Sequence, residues 1–298
     1  MTPACLPPRG CGCTLHRRGW LVGLGGATAA LALPAWARGG VSVGEQSRFS
    51  KLVPADQIEQ AALQQYAQLL GQARQKGALA PEGHPQLVRL RAIAQRIIPF
   101  AGEWNPRARQ WRWEVNLLGA PQVNAFCMPG GKIAFFIGIL AKLRLSDDEV
   151  AMVMGHEMAH ALREHARERM GKSAATNIGA NVLSSLLGLG GLGNAVLGAS
   201  TQLLSLTWSR DDETEADTVG LDLAARAGYD PRAGVTLWQK MAALNKSAPP
   251  QWLSTHPSGP SRIREIEANL PRVLSLYERA EKPSQRYAPP AAGTAPRS

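Results

Sequence analysis

Cysteine is scarce in this 298-residue chain: Cys5, Cys11 and Cys13 cluster at the start, and Cys127 stands alone after them. A lone thiol has no internal partner, so the body of the fold rests on its core or on a metal rather than on disulfides. Dense Lys/Arg clusters are missing too. The formal charge is +10, but Arg9, Arg17 and Arg18 lie in an acid-free opening stretch and leave about +7 for the rest. With neither a basic stripe nor interleaved stacking aromatics, nucleic acid is excluded as a partner. No internal repeat is visible. Charge is absent altogether from Ser173 to Ser209, a stretch rich in Gly, Ala and Leu but interrupted by Asn177, Asn181 and Gln202. Those polar residues argue against a membrane span, and the expectation is a pair of buried helices or a peripheral membrane contact through 173–209.

What is present begins with an export signal. Arg17 and Arg18 precede an uncharged run from Gly19 to Trp36 that ends in "LPAWA", so cleavage is expected after Ala37. The string "HRRGWLVG" also has the form of a twin-arginine signal, and ordinary secretion and the twin-arginine route both stay open. The expected location is the periplasm, the alternative an inner-membrane anchor formed by the same run left uncleaved. No cysteine follows the run, which argues against a lipoprotein.

At 45% hydrophobic residues the chain can build a substantial core. A polar linker over 38–50 leads into the main domain, 51–280. Apolar residues recur at helical spacing over 55–75 and 86–98. "WRWEVNLL" (111–118) alternates like a strand, and 120–140 reads as two strands joined at Gly130-Gly131, where a tight turn needs positive φ. Ser146-Asp147-Asp148-Glu149 has the form of a capping box opening a helix expected to run to about Met170. Further helices are expected over 209–228, 234–244 and 261–279, with a disordered, Pro-rich tail over 281–298. The fold class is α+β, predominantly helical, with about three strands.

The chemistry centres on "GHEMAHALREH". On a helix His156 and His160 lie one turn apart on one face, with Glu157 beside them. This is the H-E-x-x-H pattern, two zinc-binding histidines with a glutamate that serves as general base. His165, nine residues from His156, falls about half a turn out of phase and is expected at the surface. Catalytic zinc takes three protein ligands and an open position. The third is sought in the acidic run Asp211, Asp212, Glu213, Glu215, Asp217, where Glu213 and Asp217 share a face and Glu215 points elsewhere.

"GHEMAH" followed by "SRDDETEADTVG" resembles the zinc metallopeptidases (gluzincins) that include HtpX and the CAAX prenyl endopeptidases, with H-E-x-x-H plus E-x-x-A-D. "NAFCMPGGKIAFFIGIL", "GYDP" and "STHPSGPSRI" are similar to the soluble periplasmic branch typified by BepA and LoiP. The resemblance covers roughly 50–280. It implies a zincin-like metallopeptidase domain with one Zn²⁺ per subunit held by His156, His160 and Glu213, and Glu157 as base. Asp217 is expected to orient a zinc histidine. Asn124, Ala125 and Phe126 would lead into a substrate-pairing edge strand. His256 would either occupy the open zinc position as a latch or act in catalysis, and Arg262 would steady the oxyanion or the loop. The implied substrates are unfolded or misfolded envelope proteins and peptides, in protein quality control. A latched, chaperone-like assembly factor is the alternative.

Overall fold

A computed structural model of the protein describes residues 39–175, 203, 206–244, 251–256 and 260–290. The expected signal, most of the uncharged stretch and the last eight residues lie outside the described residues. Helix α1 (Ala55–Gln75) buries Ile58, Ala62, Tyr66 and Ala73, one face at helical spacing. In α2 (Pro85–Ile97), His84 Nδ1 accepts from the Gln86 N–H at 3.2 Å and Pro85 occupies the first turn. After α3 (Ala101–Trp104) come the strands β1 (Glu114–Leu118), β2 (Ala125–Met128) and β3 (Lys132–Phe136). The sheet order is β1-β3-β2, with β1 parallel and β2 antiparallel to β3. The hairpin turns at Gly130 and Gly131, with φ of 82° and 77°, so β2 is left at an edge.

A short α4 (Ile137–Leu143) leads to α5 (Asp147–Leu162), where the Ser146 capping box forms as its spacing predicts. Every residue from Glu149 to Ala166 is buried. A helix enclosed on all sides is the middle of a domain rather than its surface. Helix α2 is tied to its start: Arg89 donates from Nε to Asp147 Oδ1 at 2.6 Å and from Nη2 to Leu145 O at 2.7 Å. The helix does not continue to Met170. It stops at Arg163, Glu164 takes a left-handed φ of 60°, and α6 (His165–Ala175) starts anew.

Helix α7 (Arg210–Arg226) lies against α5, followed by α8 (Ala233–Leu244), α9 (Gln251–Thr255) and α10 (Pro260–Arg279). The result is the expected predominantly helical α+β domain with a three-stranded sheet. The flanks are less loose than their composition suggests. Val41 N–H reaches Asp222 Oδ2 at 3.3 Å, and Gln46 Nε2 donates to the Leu162 carbonyl at 3.1 Å. Disorder was expected from residue 281, yet Glu281 to Pro290 runs back along the domain. Tyr287 N–H donates to Asp147 Oδ2 at 2.8 Å and Gln86 Nε2 to Ala288 O at 3.1 Å. The strap is held by the backbone groups of Tyr287 and Ala288, which any residue supplies, and by Arg286, which donates from Nη1 to Asp148 Oδ1 at 2.8 Å. Among the described residues no helix is long and apolar enough to cross a membrane.

Candidate active site

Two helices bring the site together. A Cβ on Gly155 of α5 would lie 2.8 Å from Gly220 O, and one on Gly220 of α7 only 2.7 Å from His156 N. The backbones therefore approach more closely than any side chain allows. This contact sets Glu213 and Asp217, one turn apart on α7, opposite His156 and His160. Ser209 starts α7 with a second capping box, closed by Asp212, so Glu213 emerges from the first turn at a fixed height.

The Nε2 atoms of His156 and His160 are 3.1 Å apart. Glu213 Oε2 is 3.6 Å from the first and Oε1 3.4 Å from the second. His256, one residue beyond α9, sets Nδ1 3.2 Å from His156 Nε2 and 2.8 Å from Glu213 Oε1. These four ligand atoms all lie within 4.8 Å of one another, on residues no more than 3% exposed. Zn–N bonds of about 2.0–2.1 Å in a tetrahedron put ligand atoms about 3.3 Å apart. The observed spacings bracket that edge, and imidazole with carboxylate is a zinc-type donor set.

The proton positions suit a metal as well. Asp217 Oδ1 lies 2.9 Å from His156 Nδ1. A carboxylate only accepts, so Nδ1 carries the hydrogen and Nε2 presents its lone pair to the centre. Burial drives the His160 pKa well below the usual imidazole range and keeps that ring neutral. Burial also pushes Glu213 upward, but the His160 and His256 rings beside it hold it well below the ordinary carboxylate range. Asp217 is held low against its own burial by Arg262 and His156.

Glu157 sits beside the cluster, 3% exposed, with a pKa raised by burial against the pull of His256 and His156. Trp252 donates from Nε1 to Glu157 Oε1 at 2.6 Å. Trp252 also lies one helical turn before His256 and donates its backbone N–H to Val123 O at 3.1 Å. One short helix thus touches the base, the fourth vertex and the approach to β2. Trp208 stacks on His160, 4.5 Å between centroids and 18° from parallel. Neither tryptophan is flagged by the motifs, although the i,i+4 spacing of Trp252 and His256 is readable.

Asn124, Ala125 and Phe126 line a cleft with Glu157, His160 and His256. Phe136 N–H bonds Asn124 O, and alternation along the ladder then turns the backbone groups of Ala125 and Cys127 outward. The Ala125 N–H is taken by Asn124 Oδ1 at 3.0 Å. The cleft holds only about 50 Å³, far below the several hundred of a ligand-holding site.

Two expectations need correcting. Arg262 does not face the cleft: its Nε and Nη2 bond Asp217 at 2.7 and 2.6 Å, Nη1 bonds Glu213, and the guanidinium stacks on Trp238 at 3.8 Å. It braces the two carboxylates from the side away from the cleft. His165 is not at the surface but 1% exposed, because the left-handed turn at Glu164 resets the helical phase. Glu215 points away from Glu213, as its helical phase predicts, and bonds His165 and Arg163.

The M48 peptidase family profile matches residues 86–270. The chain belongs to peptidase family M48. Its helical α+β domain is therefore zincin-like. It is 40% identical over 171 residues to mitochondrial metalloendopeptidase OMA1 of Arabidopsis thaliana, covering 57% of this chain and 34% of that one. To the OMA1 of Schizosaccharomyces pombe it is 32% identical over 246 residues, 81% of this chain and 69% of the relative. To metalloprotease LoiP of Escherichia coli it is 29% identical over 197 residues, 65% and 75%. The chain thus spans about a third of the Arabidopsis relative's length, and mitochondrial and bacterial M48 proteins both resemble it.

Proposed function

We propose that this protein is a zinc-dependent endopeptidase of the bacterial cell envelope, of the soluble periplasmic type, degrading unfolded or misfolded envelope proteins. The observation that carries this reading is the convergence of His156, His160 and Glu213 on one buried point with Glu157 alongside. One Zn²⁺ per chain at that point would polarise the scissile carbonyl and bring the pKa of its water to about 7. Glu157 accepts the proton from the attacking water on its carboxylate and delivers it to the leaving amine nitrogen. Trp252 steadies Glu157 in this task, and Asp217, braced by Arg262, holds His156 in the ligating tautomer. A substrate strand would add to β2 along the outward carbonyl of Ala125 and the outward groups of Cys127, beginning beside Asn124, Ala125 and Phe126. The export-type N-terminus supports the envelope location, and the uncharged stretch over 173–209 a peripheral membrane contact.

His256 gives a second reading its basis. Its Nδ1 at the fourth vertex and the narrowness of the cleft support a latched resting state. A protein that stays latched would serve chiefly as a peptide-binding assembly factor. Cleavage of an unfolded protein by wild type and by His256→Ala separates the two. Peptidase action predicts cleavage that the variant accelerates if the latch limits turnover, or slows if His256 acts in the chemistry. No cleavage by either, with client binding retained, would instead favour the binding role.

A further inference from the structure

The motifs leave His165 and Glu215 without a task, yet both are folded into the site. His165 Nδ1 is 2.8 Å from His160 Nδ1, and its Nε2 is 2.9 Å from Glu215 Oε2. Arg163 donates from Nε to Glu215 Oε1 at 2.6 Å and from Nη2 to the Gly44 carbonyl. We propose that His165 and Glu215 are positioning residues: a histidine–glutamate relay that fixes the tautomer and ring orientation of the metal ligand His160.

The proton assignment follows from what each group can do. The Glu215 carboxylate only accepts, so His165 Nε2 must donate to it. A neutral His165 then has its lone pair at Nδ1, and the short contact is made only if His160 Nδ1 carries the hydrogen. His160 Nε2 is thereby left with a lone pair, aimed at the point where His156 Nε2 and Glu213 converge. The reverse assignment, with His165 donating to His160 Nδ1, would put a hydrogen on His160 Nε2, 3.1 Å from His156 Nε2, and block ligation. His156 is set by a carboxylate directly, through Asp217; His160 is set by one through an intervening imidazole.

The backbone is bent to make this contact. A left-handed conformation at a residue with a side chain costs about 1–2 kcal/mol, and here it falls on Glu164. The structure around it holds the bend: Asn105 Nδ2 and Gln46 Nε2 both donate to the freed Leu162 carbonyl at 3.1 Å, and Arg167 pairs with Glu164. An unbroken helix would carry His165 away from His160. Strain sustained beside a site and used to aim a side chain is a mark of function.

The inference rests on the metal site proposed above, and zinc affinity tests it apart from activity. Metal-free full-length protein is titrated with Zn²⁺ against a chelator of known affinity, and folding is followed by circular dichroism. Wild type should bind one zinc per chain. His165→Ala should bind about 10–100-fold more weakly. His165→Gln should recover most of the loss, because its amide oxygen accepts from His160 and its NH₂ donates to Glu215. Glu215→Ala should weaken binding in the wild-type background and add nothing to His165→Ala. Folded His165→Ala with wild-type affinity, His165→Gln no better than His165→Ala, or additive losses would overturn the relay. Should His165→Ala fail to fold, Glu215→Ala carries the test, and wild-type affinity in it overturns the relay. A wild type that binds no zinc would instead overturn the metal site itself.

Discussion

Replacing Gly220 by alanine tests whether the α5–α7 contact sets the site. The new Cβ would sit 2.7 Å from His156 N, 3.0 Å from Gly155 C and 3.1 Å from His156 Cα. All three are backbone atoms, so no side chain can swing away. Ordinary contact begins at 3.4 Å, so the helices must part by about 0.7 Å, the kind of overpacking that costs about 1–3 kcal/mol. At about 2–4 °C per kcal/mol for a domain of this size, Tm should fall by about 2–12 °C. Glu213 and Asp217 ride on α7 and would move with it, whereas metal geometry tolerates only about 0.2 Å. Zinc affinity should therefore drop, and kcat/KM should fall on the order of 10²-fold, the usual effect of a misplacement near 1 Å. The assay pairs thermal melts with zinc titration and cleavage of an unfolded substrate. Gly71→Ala is the control: it lies in α1, where an added Cβ meets nothing within 4 Å, and should slightly stabilise without touching the site. Gly220→Ala with unchanged Tm, zinc affinity and cleavage would refute the reasoning.

Two further outcomes follow. Chelation should abolish cleavage and lower Tm, since zinc at 1,000 times its Kd adds about 4 kcal/mol; Zn²⁺ should restore both and Mg²⁺ neither, and a melt indifferent to chelator would count against a bound metal. Burial pushes the Tyr229 hydroxyl up to about 12. A raised folded pKa means stability fully present below the unfolded value near 10 and lost as pH rises toward 12. Tyr229→Phe should flatten unfolding free energy against pH in that window, and parallel curves for the two proteins would contradict it.

The sequence carried the local signals well. Helical phase paired His156 with His160, the Ser146 capping box started the right helix, and Gly130-Gly131 turned the hairpin. Long-range and compensated features were hidden. Nothing local marks Glu164 as left-handed, since the Leu162 carbonyl freed by the bend is taken by Asn105 and Gln46 from distant parts of the chain. Extrapolating a regular helix therefore sent His165 the wrong way. Glu215 was rightly set apart from Glu213, but with His165 sent outward its partner could not be seen. Arg262 could be matched to the site but not to a side of it, as only packing decides that a guanidinium lies behind two carboxylates. The closeness of α5 and α7 depends on Gly155 meeting Gly220, a pairing no periodicity reports.

The central claim is that Glu157 moves the proton while His156, His160 and Glu213 hold the metal. Glu157→Gln separates the two tasks, because the amide keeps the shape and can still accept from Trp252 Nε1 but takes no proton. Zinc content and cleavage of an unfolded protein, measured on the same preparation, test it most directly. One zinc per chain is expected, as in wild type, with turnover lower by about 10²–10⁴-fold. Cleavage at the wild-type rate by the zinc-loaded variant would contradict it.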